Sequence, residues 1–358
     1  MSETLTPTQR PDRATLPLSH PMLPRWAPLL VAVVAAAAAG LLALILGWGM
    51  VGGVLVGVLL FLVALPLWSL KVEKARAAKD RFVTALVWVA FAIALLPLGS
   101  LVVKVVAEGA PVIDMEFLTF SMRNVVGEGG GIYHAIMGTL LVTLGASLIS
   151  IPVGLMSAIY LVEYGGTSRM AKSVTFLVDV MTGIPPIVAG LFAYALFAIF
   201  FGPGIRFGFG GSVALSLLMI PVVVRSAEEM LKLVPHELRE AAYALGVPKW
   251  RTILRVVLPT AMAGLVTGVM LAVARVAGET APLLIIAGST DSLNTNLFDQ
   301  RMMTLPVFIY YSFMQPGVPA RFGQERAWGA ALVLIVIVMA LNLLARAIGR
   351  YFAPKTGR

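Results

Sequence analysis

Apolar residues fall in eight blocks along this chain, at about 27–46, 50–70, 82–106, 134–162, 173–201, 211–225, 259–287 and 328–350. A helix needs about 20 apolar residues to cross the hydrocarbon core of a bilayer, so the pattern predicts eight transmembrane helices. The 211–225 block is short and interrupted at both ends. Only Gly47, Trp48 and Gly49 separate the first two blocks, which predicts a tight helical hairpin over 27–70. Ahead of it, residues 1–26 are polar and rich in proline. That stretch predicts a disordered tail and does not read as a cleaved signal peptide.

Composition sharpens the picture. Of 358 residues, 59% are hydrophobic and 13% charged, against about 25% charged in an ordinary soluble domain. Lipid must therefore serve as solvent for most of the apolar surface. Twenty of the 27 Lys and Arg fall on one side of the predicted spans, six on the other, and Arg275 lies inside a span. Positive charge accumulates in cytoplasmic loops, so both termini are expected in the cytoplasm. The same asymmetry accounts for the net charge of +9, which therefore does not point to nucleic acid. The longer loops at about 107–133 and 288–327 fall on the outer side, where an importer would dock a substrate-binding protein. With no cysteine and three histidines far apart, His20, His134 and His236, no metal-ligand spacing is present.

The segment PHELREAAYALGVPKWRTILRVVLP at 235–259 reads as two short helices joined by a bend. Pro235 suits a first turn, Glu237 and Glu240 suit its positive end, and Gly246 can adopt the left-handed conformation that stops it. Pro248 then opens the second helix. Leu238, Ala241, Ala242 and Leu245 share a face at helical spacing. Such a face fits another protein at close range, or lipid headgroups. The stretch GTSRMAKS at 166–173 lacks the second glycine of a phosphate loop and follows a membrane span, so the chain offers no nucleotide site.

Charges inside spans cost about 2.5–3.5 kcal/mol each at a helix centre. Arg275 and Glu279, in LAVARVAGETAPLL, are four residues apart and are expected as neighbours on one helical face. That face continues through Gly268 and Gly264, a pair suited to close helix contact. One reading is an intrahelical ion pair that fixes the helix. The other is a guanidinium fork for an oxyanion, with Glu279 competing for it so that release stays possible. Arg225 and Glu228 lie at the cytoplasmic end of a span, where Arg225 is either an anchor or part of a pathway. Asp179 precedes Pro185 and Pro186, which must break their helix.

Two resemblances follow. Glu240-Ala241-Ala242, Gly246, Val256 and Leu258-Pro259 match the EAA loop of ABC-importer permeases, with Val256 where isoleucine is commoner. Arg275 to Leu283, IPVVVRSAEEMLKLVP at 220–235 and TGIPPIVAG at 182–190 resemble the PstA-type permeases of bacterial phosphate ABC transporters, with Pro186 where serine is often found. The resemblance covers about 82–350. It implies an all-α integral membrane protein with a six-helix type I importer core of the MetI kind over 71–358, to which the 27–70 hairpin is additional. It implies Arg275, Glu279, Arg225, Glu228 and Thr280 as substrate-pathway residues. Glu240, Ala241, Ala242 and Gly246 would be ATPase-coupling residues. The partners implied are a PstC-type second permease in a heterodimer, a PstB-type ATPase dimer that binds ATP and Mg²⁺, and an extracytoplasmic PstS-type phosphate-binding protein, all at the bacterial cytoplasmic membrane. The chain itself would be no enzyme. A permease for another oxyanion or small solute is the alternative; an ATP-independent secondary transporter would leave the 235–259 loop unexplained.

Overall fold

The computed structural model describes residues 22–352, all helical in their regular structure and with no strand among them. The expected tail lies outside these residues up to position 21. From there, Leu23 is buried and its amide donates to Glu73 at 2.6 Å. The chain divides at Leu101/Val102 into two compact units.

In the first unit, α1 (Ala27–Leu46) and α2 (Met50–Glu73) form the hairpin the sequence predicts, turned at Gly47 with φ 66°. Two apolar helices in lipid gain nothing from burying more hydrocarbon, so close packing of small residues must hold them. A Cβ on Gly53 or Gly57 would lie 3.1 Å from that of Ala43 or 3.3 Å from that of Ala39. Glu73 closes the unit by accepting from Ser69 and Arg81, the latter on α3 (Ala75–Gly109), which continues into the second unit.

The second unit follows with α4 (Met115–Thr119), α5 (Tyr133–Ile159), α6 (Arg169–Thr182), α7 (Pro186–Phe201) and α8 (Gly208–Lys232). It continues through α9 (His236–Ala244), α10 (Lys249–Thr252), α11 (Leu258–Ala277), α12 (Ala281–Ile286), α13 (Leu305–Met314) and α14 (Ala320–Phe352). The centre is α8, longer than its 211–225 apolar block. Along α5 a Cβ at Gly145 would meet the Ser212 hydroxyl at 2.5 Å, and one at Gly154 would meet Val223 at 2.6 Å. On another face, Gly264 and Gly268 of α11 take Met230 and Ser226 in the same way, as their four-residue spacing predicts.

One apolar block breaks where its prolines predict, and two further stretches fold differently from expectation. The 173–201 block is two helices, α6 and α7, bent by 109°, because Pro185 and Pro186 supply no backbone donors. Asp179 on α6 pairs with Arg225 near the Lys232 end of α8, while Ala193 on α7 packs with Phe207 and Ala214 at its other end. The bent pair thus contacts α8 near both of its ends; counted as one broken span, it brings the helices long and apolar enough to cross a membrane from seven to eight among the described residues. The 259–287 block breaks at Gly278–Thr280 into α11 and α12, since Pro282 cannot donate to the Gly278 carbonyl and crowds it. The 288–327 stretch is no solvated loop throughout: residues 302–308 are buried. There the Leu305 amide donates to Thr139 of α5 at 2.7 Å, and Gly138 leaves space for the Met303 carbonyl.

Candidate functional site

The helix breaks meet. The α6–α7 break and the α11–α12 break lie either side of Pro221 in α8, around a cavity of about 80 Å³. Thr182, Ile184 and Pro186 line it from the first break, Pro221 and Val222 from α8, and Arg275, Val276 and Glu279 from the second. Pro186 and Pro221 each remove a backbone donor beside the cavity, and irregular backbone at membrane depth is tolerated where it lines a cavity. Gly190 of α7 sits directly against Pro282, where a Cβ would fall 2.6 Å from the Pro282 Cα. This contact fixes one break against the other.

The expected Arg275–Glu279 helical pair does not form. Helix α11 ends at Ala277, and the Glu279 amide caps it by donating to the Val276 carbonyl at 3.1 Å. Among the described residues no carboxylate oxygen lies within 4.0 Å of Arg275, which is exposed in the isolated chain, whereas Glu279 is half-buried. Both still reach the same cavity. Thr280 does not line it; its carbonyl accepts from Leu284 at 3.0 Å in the first turn of α12.

One turn from Pro221 toward the 235–259 loop, Arg225 is engaged through both of its terminal nitrogens. Its Nη1 donates to Glu228 at 2.8 Å and its Nη2 to Asp179, joining α8 to α6. Lys232 donates to the other oxygen of Glu228 at 2.7 Å, so charges alternate along Asp179, Arg225, Glu228 and Lys232. The sequence placed Arg225 and Glu228 together but not Asp179, which is 46 residues away and belongs to no shared period. One arginine at this site is thus held by carboxylates and another, Arg275, is open.

The 235–259 segment takes its predicted form. Pro235 precedes α9 and Gly246 ends it at φ 73°. The Gly246 amide donates to Tyr243 and the Val247 amide to Ala242, the paired bonds of a Schellman cap. Glu240, Ala241 and Gly246 are exposed, as are Leu238 and Leu245, but Ala242 is buried. The expected four-residue docking face therefore loses Ala242, which turns inward under the cap. Arg239, on the buried side, ties this loop to the bundle. Its guanidinium donates to Glu163 at 2.8 and 3.0 Å and to the carbonyls of Leu231 and Val234 at 3.0 and 2.7 Å. Glu163 lies in the π-helical turn Tyr160–Gly165 that ends α5. The sequence reading missed this clamp, because its two partners are 76 residues apart and neither belongs to a motif.

The family model for binding-protein-dependent transport system inner membrane components matches residues 150–358. The chain is 46% identical over 286 residues to the phosphate transport system permease protein PstA 1 of Mycobacterium tuberculosis, covering 79% of this chain and 91% of that one. It is 44% identical over 230 residues to the PstA protein of Yersinia pestis, covering 63% of this chain and 74% of that one. A bacterial alginate ABC transporter, solved in complex with an alginate-bound periplasmic protein, has a chain of similar fold. The TM-score is 0.55 at 15% identity, covering 78% of this chain and 97% of that one.

Proposed function

The chain belongs to the family of binding-protein-dependent transport system inner membrane components, and from that membership we propose that it is the PstA-type permease of a bacterial phosphate importer. It is a multi-pass membrane permease of the ABC importer class. Its partners on this reading are a PstC-type permease, a PstB-type ATPase pair holding ATP and Mg²⁺, and a PstS-type binding protein. Both termini and the 235–259 loop lie in the cytoplasm, following the distribution of Lys and Arg.

The observation that carries the substrate pathway is the open guanidinium of Arg275 at the meeting point of two broken helices. Guanidinium presents a planar, permanently charged fork that matches phosphate oxygens. Glu279, on the same wall, opposes a bound anion and keeps occupancy short enough for release. The exposed side of Arg275 is where the second permease closes the pathway. Toward the cytoplasm, Arg225 is withheld from the anion while Asp179 and Glu228 hold it, and it becomes available only when α6 moves from α8. The coupling loop supplies that motion. Glu240, Ala241 and Gly246 face the ATPase, and the Arg239–Glu163 clamp passes displacement of α9 to the ends of α5 and α8.

The test is ATP-dependent uptake of labelled phosphate and labelled sulfate by the complete complex in proteoliposomes. Phosphate should accumulate and sulfate should not. Accumulation of sulfate in place of phosphate would remove the substrate and leave the permease.

A further inference from the structure

We propose that Arg206 and Arg301 form an anion-capture site at the end of the bundle opposite the coupling loop, the first stop for the oxyanion before Arg275. This rests on the phosphate-permease reading and extends it to residues in no motif of the sequence. The two arginines are 95 positions apart, yet the outer end of α12 brings both to one point. The Ile286 carbonyl accepts the Phe207 amide at 2.9 Å, and the next carbonyl, Ala287, accepts the Met302 amide at 3.0 Å. The residues immediately before those two amides are Arg206 and Arg301. Asn294 holds the second from the other side by donating to the Arg301 carbonyl at 3.1 Å.

Both side chains run past Gly288. A Cβ there would lie 3.1 Å from Cδ of Arg206 and 3.2 Å from Cγ of Arg301, and its φ of 78° favours glycine independently. Both arginines are exposed, and among the described residues neither has a carboxylate partner within 4.0 Å. Among the described residues neither guanidinium donates to a carbonyl of α12, whose Ile286 and following Ala287 carbonyls accept backbone amides. Like charges brought close together repel, and more strongly in a protein-like medium than in water. Backbone bonds that bring the stems of both arginines to one glycine gather like charge there, an arrangement that a multiply charged oxyanion relieves. The six residues of α12, about 9 Å of helix, separate this point from the break that carries Arg275 and Glu279. A captured anion would therefore enter the cavity along α12.

The experiment uses the complete transporter in proteoliposomes with saturating phosphate-loaded binding protein, and reads phosphate uptake and ATP hydrolysis together. The double variant Arg206→Gln/Arg301→Gln should lose tenfold or more in phosphate moved per ATP, with hydrolysis stimulated by the binding protein preserved. The double variant Arg206→Lys/Arg301→Lys, which keeps the charge, should stay within threefold of wild type. Unchanged uptake per ATP in the glutamine variant overturns the capture site. Equal loss of uptake and of stimulated hydrolysis also overturns it, since the arginines would then dock the binding protein. If the glutamine variant fails to assemble, the lysine variant decides: a tenfold loss of uptake per ATP there overturns the charge-capture account. A wild-type complex that moves no phosphate at all overturns the parent reading instead.

Discussion

At the scale of single residues, the charges in this membrane protein divide into those held and those left open. Arg239 is the most completely held, with Glu163 and backbone carbonyls around a guanidinium whose side chain is 10% exposed. Removing one partner of a buried ion pair typically costs about 3–5 kcal/mol, whereas replacing both by apolar residues of similar size can be neutral. Glu163→Leu should accordingly lower the midpoint of thermal unfolding of the purified complex, and Glu163→Leu/Arg239→Met should recover most of that loss. A double variant as unstable as the single one would show that the clamp is not a mutually dependent pair. Arg225 is held less tightly, at a side-chain exposure of 35%, by an Asp179 that is itself 60% exposed. On the proposed mechanism, that contact is the one that opens, while the more deeply buried Arg239 clamp stays shut.

At the scale of elements, the sequence was most legible where local chemistry decides the outcome. Gly47 turns the hairpin and Gly246 ends α9, each at positive φ; Pro185 and Pro186 break their span as their missing donors require. It was less legible where the outcome depends on two distant elements. Hydropathy treats 259–287 as one block because the break at Gly278–Thr280 stays apolar on both sides, so Arg275 and Glu279 read as helical neighbours. Ala242 reads as part of an exposed face because a nine-residue helix has no sequence marker for which side the bundle covers. The contact that matters most for the site is likewise tertiary. Gly190 lies against the backbone of Pro282, which cannot move aside as a flexible side chain can. Gly190→Ala should overpack this crossing, at about 1–3 kcal/mol, lowering the unfolding midpoint and slowing uptake. Gly99→Ala, where a Cβ meets nothing within 4 Å, should change neither. Equal behaviour of the two variants would mean that the two breaks are not fixed against each other.

At the scale of the whole molecule, the chain is a half-built pathway. Its apolar spans and its membrane-facing composition were readable from hydropathy and charge alone, and the EAA pattern placed it among importers. The convergence of two helix breaks and the Pro221 turn of α8 on one small cavity was not readable, because 182–186, 221 and 275–279 become neighbours only in the folded bundle. That convergence leaves Arg275 exposed in this chain, with no carboxylate oxygen within 4.0 Å among the described residues. The central claim is that this arginine contacts the transported anion and does not merely brace the fold. The measurement that bears on it most directly is labelled phosphate uptake by the reconstituted wild-type and Arg275→Gln complexes, with ATP hydrolysis followed in the same vesicles. The account predicts uptake reduced at least a hundredfold while hydrolysis stimulated by the loaded binding protein remains within about threefold of wild type. Uptake that survives the substitution in an intact complex would contradict it.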